Sequence, residues 1–423
     1  MTPMWITIII LALTIIAFLT GKVPMSIISM GIILSLIFFK ILPVDKAFGG
    51  FINPNVIMFA GMFVIGAGIT KTSILQRTED LVMKYKNNTK MLLLISCLSG
   101  GILGLLTSGT SSIAILLPLL MGIAASVNVS QKQILFPVAT VANIAAGTTF
   151  LGVGSGNMTW SSIMMKIGAK EPLNLLSFTL AKLPFLITAI IYMVYVAPKL
   201  LPKDEITAID TNLKKKDLRT TLSPVKEKLA IVIILATITL MILSNYINIP
   251  IYVISTLGAA LLVIFGILKE KEALSSINLP TIFLFGGVLA LSDALTKTGA
   301  GDLVASVITA VIGNTNNTFL IMFIFFAIPF IVTQFMSNLA TVAIFVPLVV
   351  SAALKLGFDP RAAVLAVITA ATCSFLTPLA SPPQTMIMEV GNYKLWDYLK
   401  SGLPLAIIYL IMGCFVFQLI YPL

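Results

Sequence analysis

Four short polar stretches interrupt an otherwise apolar chain: Thr107-Ser108-Gly109-Thr110-Ser111-Ser112, Gly152-Val153-Gly154-Ser155-Gly156-Asn157, Ser337-Asn338 and Ala380-Ser381-Pro382-Pro383-Gln384. Their residue types define a narrow chemistry. Hydroxyls, amide oxygens and carbonyls freed by unwinding are ligands for a hard cation, and helix N-termini with amide donors take a carboxylate or another oxyanion. Pro382 and Pro383 remove two backbone donors and break a helix; the glycines reach a similar break through conformational freedom. Bare polar backbone is costly in hydrocarbon, so such stretches persist in a membrane only where they line a cavity or bind something. Any single Ser or Gly of this kind also serves close helix packing. Recurrence at matching places is what points to a site for an ion-coupled anion carrier.

Other chemistry lacks its groups. The chain has no His, and no HExxH, GxSxG or P-loop pattern, so an enzyme is not expected. Cys97, Cys373 and Cys414 lie apart in apolar segments with no CxxC and read as packing residues. No acidic residue lies mid-helix in the predicted transport segments, since Asp293 and Glu389 sit toward span ends. Sodium coupling through neutral oxygens is therefore favoured over proton coupling. Asp293 and Lys297 have the i,i+4 spacing of a surface pair. Lys182, two turns into its span, reads as a snorkelling structural lysine.

The elements that hold these residues are membrane helices. Of 423 residues, 58% are hydrophobic and 10% charged, with a mean hydropathy of +1.06, far beyond a soluble globular chain. The net charge of +11 is spread in short runs between apolar segments, which read as topology signals and not as a nucleic-acid face. Windows long enough to cross the hydrocarbon core occur at about 3–19, 23–39, 51–70, 131–151 and 174–199, then at 227–244, 249–268, 278–296, 360–378 and 402–422. Trp5 to Leu19 lacks a basic n-region and a cleavage site, so it is expected to be a retained span, and no soluble domain is expected before or after the membrane part. Each half also holds a longer apolar stretch, about 90–126 and 317–356, broken at a polar centre; it reads either as two full crossings or as a re-entrant hairpin with its tip near midplane, and the repetition between halves favours the hairpin.

The halves repeat. Gly61 and Ile69-Thr70-Lys71-Thr72 correspond to Gly287 and Leu295-Thr296-Lys297-Thr298, and Ser108-Gly109-Thr110, Ala114 and Pro118-Leu119 to Ser337-Asn338-Leu339, Ala343 and Pro347-Leu348. Five crossings and a hairpin per half make the second copy inverted. The expected division is residues 1–199, a cytoplasmic linker at 200–226, and residues 227–423. With that linker inside, 19 Lys and Arg fall in inside loops and 7 in outside loops, which predicts both termini outside, the first hairpin opening inward and the second outward. Ser73 to Tyr85 and Asp302 to Ile312 have helical apolar spacing and are expected to be interfacial helices.

These motifs resemble the divalent anion/sodium symporter family, the carriers of dicarboxylates, citrate and sulfate. That family has Ser-Asn-Thr at each hairpin tip with Pro-Leu in the outgoing helix, and Thr-Pro-Pro-Asn in the broken helix after each hairpin. The resemblance covers nearly the whole chain and is most specific in Ser337-Asn338, Val346-Pro347-Leu348 and Phe375-Leu376-Thr377-Pro378-Leu379-Ala380-Ser381-Pro382-Pro383. It implies a homodimer with a fixed scaffold and a transport domain that moves like an elevator, sodium as the coupling ion, and no other cofactor. Carried over, the substrate would lie at Ser108, Gly109, Thr110, Asn157, Ser337, Asn338, Leu339, Ser381 and Pro382. The second sodium site would use Thr333, Asn338 and the carbonyl of Ala380; the first would use Ser108 and Gly154, with Gly104 and Gly109 standing where oxygen-bearing side chains are usual.

The chain also departs from the pattern. Leu339 replaces a Thr, Gly154-Ser155-Gly156-Asn157 stands for Thr-Pro-Pro-Asn, and Ser381 and Gln384 replace Thr and Asn; the family's additional N-terminal span is not expected here. The expectation is thus an all-α polytopic protein of a prokaryotic inner membrane, built from two inverted repeats of five transmembrane helices plus one re-entrant hairpin each. Its expected activity is sodium-coupled symport of a small anion, a di- or tricarboxylate, with lipid and a second copy as further partners and no nucleic acid. The alternative is an ion antiporter or inorganic oxyanion transporter of the same fold, to which the depleted first site gives weight.

Overall fold

Among the described residues, two runs of eight helices of nine residues or more follow one another along the chain. The first comprises α1 (Pro3–Thr20), α2 (Met25–Phe38), α3 (Pro54–Thr70), α4 (Thr89–Leu106), α5 (Gly109–Ser126), α6 (Gln131–Ala145), α7 (Asn157–Ile167) and α8 (Leu175–Tyr195). The second comprises α9 (Pro224–Ile242), α10 (Ile251–Ile264), α11 (Leu279–Thr298), α12 (Thr318–Val332), α13 (Asn338–Lys355), α14 (Pro360–Thr372), α15 (Pro382–Val390) and α16 (Leu395–Ile420). Short helices, Val44–Phe48 and Glu270–Ser276, precede α3 and α11. The computed structural model describes residues 2–20, 22–73, 80, 82–85, 88–126, 129–202, 222–303, 306, 317–378 and 381–422, and no strand occurs among them. Most of the linker and of the two segments expected to be interfacial helices lies outside the described residues.

Helix lengths decide which segments cross. At 1.5 Å per residue α16 reaches ~39 Å, enough for a hydrocarbon core of ~30 Å. By contrast α6 and α14 have 15 and 13 residues and reach only ~20 Å. Their predicted windows ran on to residues 151 and 378. The helices stop earlier because Ala146 (φ −58°, ψ 125°) and Cys373 (φ −89°, ψ 36°) leave the helical region, and α7 and α15 resume beyond the breaks. Outward-facing Leu13, Ile16, Phe38, Leu257, Ile264 and Leu419 are exposed, as lipid-facing positions must be in a chain that is a multi-pass membrane protein.

The repeated residues have structural reasons. Asn53 and Asn278 cap α3 and α11, and Asn88 and Asn317 cap α4 and α12, each through its side-chain oxygen. At Gly61 a Cβ would stand 3.0 Å from the Ser255 backbone, and at Gly287 one would stand 2.7 Å from Ser29 Cβ. The two glycines let α3 press on α10 and α11 on α2, so each half's second helix packs on the other half's third. Lys71 and Lys297 follow the same rule: Lys71 Nζ pairs with Glu272 Oε1 at 2.7 Å, while Lys297 Nζ donates to the Ile41 carbonyl at 2.8 Å. The expected Asp293–Lys297 pair is therefore replaced. Asp293 Oδ2 instead takes Lys166 Nζ of α7 at 2.6 Å, because the docking of Lys297 on the α2 loop turns it away from its own helix.

The helices sort into two bodies by what they touch. One holds α1, α2, α3, α9, α10 and α11; the other holds the hairpins α4–α5 and α12–α13 with α6, α8, α14, α15 and α16. Residues 152–156 and α7 join them, against α3 and α11. Around the second body the halves interlock, α15 packing on α5 and α6, and the joining α7 on α13 and α14. Tyr192 of α8 donates to the Ser401 carbonyl of α16 at 2.7 Å, and Tyr409 of α16 to the Phe185 carbonyl of α8 at 2.5 Å.

Candidate functional site

Both hairpin tips are capped alike. Ser108 Oγ accepts the Ser111 N–H at 3.0 Å, and Ser337 Oγ accepts the Ala340 N–H at 3.3 Å. Each serine sits just before an outgoing helix and satisfies an N–H of its first turn, leaving other N–H groups of α5 and α13 at the tip. Each tip is also stitched to the break of its own half. In the first, the Thr107 carbonyl accepts Val153 N–H at 3.0 Å and Thr149 Oγ1 donates to the Leu105 carbonyl at 3.2 Å. In the second, Gln334 Nε2 donates to the Cys373 carbonyl at 3.1 Å, Gln334 Oε1 accepts Leu376 N–H at 2.9 Å, and Thr377 Oγ1 donates to the Gln334 carbonyl.

The second tip gathers neutral oxygens. Thr333, buried at the end of α12, has its Oγ1 3.1 Å from Asn338 Oδ1 and 2.8 Å from the Ala371 carbonyl. Ser374 Oγ lies 2.8 Å from the same Asn338 oxygen. Asn143, at the end of α6 in the first half, donates through Nδ2 to the Thr372 carbonyl at 3.0 Å and to Ser374 Oγ at 3.2 Å. A Cβ on Gly109, the first residue of α5, would stand 3.0 Å from Asn143 Cα. Gly109, Asn143, Ser374 and Asn338 thus form a continuous line between the tips. Hydroxyl, amide and carbonyl oxygens 2.8–3.1 Å apart converge as a hard cation requires.

The two halves differ at this point. A Cβ on Gly104 would stand 2.5 Å from the Ala142 carbonyl oxygen, and one on Gly109 3.2 Å from the same oxygen. The backbone of α6 fills the space that Thr333 and Asn338 occupy in the second half. Gly154 sits inside the first break, its N–H bonded to the Leu151 carbonyl at 2.9 Å, and Asn157 Nδ2 donates to the Gly147 carbonyl at 2.9 Å.

The other predicted residues are spread around this line. Thr110 is exposed and Leu339 half-buried against the core. Ser381 lies buried before α15 with its hydroxyl unpartnered, Pro382 is exposed, and Ala380 lies outside the described residues. Gln384 Nε2 donates to Thr140 Oγ1 of α6 at 2.9 Å while its Oε1 is buried and unpartnered. Sequence reasoning missed Asn143, Ser374 and Gln334, the only advance signal being that each adjoins a helix end. Lys182 does not snorkel. It is 1% exposed, and its Nζ donates to the Ala146 carbonyl at 2.9 Å, because α8 carries it against the first break and away from either end of the span.

A family model described as "Citrate transporter" matches residues 15–368 and again 248–423. An uncharacterized transporter of Methanocaldococcus jannaschii is 27% identical over 77% of this chain and 73% of its own length. The sodium-dependent low-affinity dicarboxylate transporter 1 of Caenorhabditis elegans is 30% identical over 33% of this chain and 23% of its own length. Among solved structures, Neisseria gonorrhoeae MtrF, presented within a class of antimetabolite efflux pumps, superposes with a TM-score of 0.61 at 17% identity, over 100% of this chain and 95% of that one.

Proposed function

The chain belongs to the citrate transporter family, and from that premise we propose that it performs sodium-coupled symport of a small di- or tricarboxylate across a prokaryotic inner membrane. It is a membrane transporter and not an enzyme. The observation that carries the proposal is the oxygen cluster of Thr333, Asn338 and Ser374 with the Ala371 carbonyl. It contains no carboxylate, so it suits a monovalent hard cation. A carboxylate substrate would bind beside it at the N-termini of α5 and α13, where the free N–H groups and helix dipoles favour anions. The unpartnered Ser381 hydroxyl is available on the same body. With a cation bound, Asn338 and Ser374 hold their oxygens toward it, and the local positive charge favours entry of the anion.

The partition into two bodies supports an elevator-like movement. The body of α1–α3 and α9–α11 is the fixed scaffold, and the hairpin body slides against it along residues 152–156 and α7. The matching order of eight helices per half and the reciprocal packing of α2 on α11 and of α10 on α3 support inverted repeats, and the bias of Lys and Arg between the loops supports both termini outside. A homodimer through the scaffold completes the arrangement.

Thermal stabilisation of the detergent-purified protein tests the reading, since a ligand that binds only the folded state raises its stability. Citrate, succinate, sulfate and phosphate are each added with sodium or with choline. A di- or tricarboxylate should stabilise only with sodium, and Asn338→Ala should lose that response while remaining folded. Stabilisation by sodium alone, with no effect of any anion, would overturn symport in favour of the antiporter reading.

A further inference from the structure

The first half lacks the oxygens of the Thr333 cluster and instead contains a buried amine. Lys182 leaves α8 two turns into the helix and ends on the carbonyl of Ala146, 2.9 Å away, at the C-terminal end of α6. That end carries the negative pole of the helix dipole, where a cation is stabilised. A Cβ on Gly147 would stand 3.4 Å from the same Nζ, so the amine lies against the unwound segment. No carboxylate pairs with it among the described residues; Glu272, Asp397, Asp293, Glu171 and Asp359 face Lys71, Lys132, Lys166 and Arg361 instead. A buried lysine without a counter-ion is costly in this setting, which calls for a role beyond packing.

The corresponding place in the second half has the opposite content. The Lys182-Leu183-Pro184 run of α8 aligns with Gly402-Leu403-Pro404 of α16. A Cβ on Gly402 would stand 3.4 Å from the Phe375 carbonyl oxygen, and Phe375 occupies the place of Ala146 at the offset that relates the hairpin tips. One half thus combines Gly104, Gly109 and Lys182; the other combines Thr333, Asn338 and Gly402. Where ligands and space for a free cation are missing, a tethered ammonium reaches the freed carbonyl. Where the lysine is missing, the oxygens are present.

We infer that the Lys182 ammonium, held on the freed Ala146 carbonyl beside the first break, supplies the first half's positive charge in place of a second sodium ion, so that each transport cycle is coupled to one sodium, held at the Thr333 cluster. The inference rests on the proposed sodium-coupled symport. Because the amine is covalently held and rests on the Ala146 carbonyl, this charge needs no ion from solution, and the anion site is half assembled before sodium arrives.

Sodium-dependent uptake of the stabilising anion into proteoliposomes tests this, with wild type, Lys182→Met, Lys182→Arg and Asn338→Ala compared. Wild type should follow sodium with a Hill coefficient near one. Lys182→Met, of similar length without charge, should lose uptake at least tenfold at every sodium concentration yet keep sodium-dependent thermal stabilisation, which Asn338→Ala loses. Lys182→Arg should restore a substantial part of the uptake, which a purely packing role would not require of a charged replacement. A wild-type Hill coefficient near two, or wild-type uptake in Lys182→Met, overturns the inference and leaves symport standing. Absence of any sodium dependence in wild type overturns both. The wild-type coefficient decides the matter even if Lys182→Met fails to fold.

Discussion

Restoring a hydroxyl at position 104 separates a reading by motif from a reading by space. By motif, Gly104→Ser returns an oxygen to a depleted sodium site and should add a second sodium. By geometry it cannot, because the new Cβ would stand 2.5 Å from the Ala142 carbonyl oxygen. A comfortable carbon–oxygen contact is about 3.3 Å, so α4 and α6 must part by roughly 0.8 Å. The atom in the way is backbone of a helix whose residues 134–145 are all buried, and it has nowhere to turn. Overpacking of this kind costs about 1–3 kcal/mol, and at ~2–4 °C per kcal/mol the melting temperature should fall by about 2–12 °C. Gly31→Ala is the matched control. A Cβ there meets nothing within 4 Å, and relief of the glycine penalty should leave stability unchanged or raised by about 0.5–1 kcal/mol. The assay is thermal unfolding in detergent at several sodium concentrations. A Gly104→Ser protein as stable as wild type, with steeper sodium dependence, would refute the closed first site and the geometry behind it.

Two further outcomes follow from ion pairs of different burial. Lys132 and Asp397 tie α6 to α16 at 3.1 Å with side chains 6% and 9% exposed, and Asp397 also accepts the Lys394 N–H at 2.9 Å. Removing one partner leaves a buried charge, so Lys132→Met should cost about 3–5 kcal/mol. Lys132→Met with Asp397→Ser, which keeps a cap, should recover much of that in a double-mutant cycle; strict additivity would show that the pair is not coupled. At the surface, the hydrogen bond from Lys71, aided by the Lys269 backbone, holds the Glu272 carboxyl below its ordinary value. A lowered carboxylate value stabilises above the unfolded pKa, and the contribution is lost as pH falls through the folded one. With exposures of 32% and 40% it is worth about 0.2–1 kcal/mol and shrinks with salt. The difference in melting temperature between wild type and Glu272→Gln at low salt should thus be present at pH 7 and vanish in acid, once pH has fallen through the lowered folded value; a difference that persists in strong acid would rule the pair out as its source.

Local properties determined much of this protein without any coordinates. Apolar length and composition make it a helical membrane protein, and Gly and Pro clusters, which act on their own backbone, mark the places where helices stop. Correspondence between the halves is legible too, because Gly61 with Gly287 and Ser108 with Ser337 answer to the same local demands of close approach and capping in each half. The site itself is not local. Asn143 and Ser374 are separated by 231 positions and meet only because α6 and α14 both end early beside the hairpin tips. The partner of Asp293 depended on where Lys297 was docked by another helix. Lys182 looked like any lysine near a span end until α8 was packed against the first break. Whether Gly104 is a missing ligand or a forced close contact depends on the position of Ala142 in the neighbouring helix, which no pattern along a single chain segment encodes. Spacing along a helix sets which side chains share a face; the angle and depth at which helices cross set what that face meets, and those are properties of the whole packing.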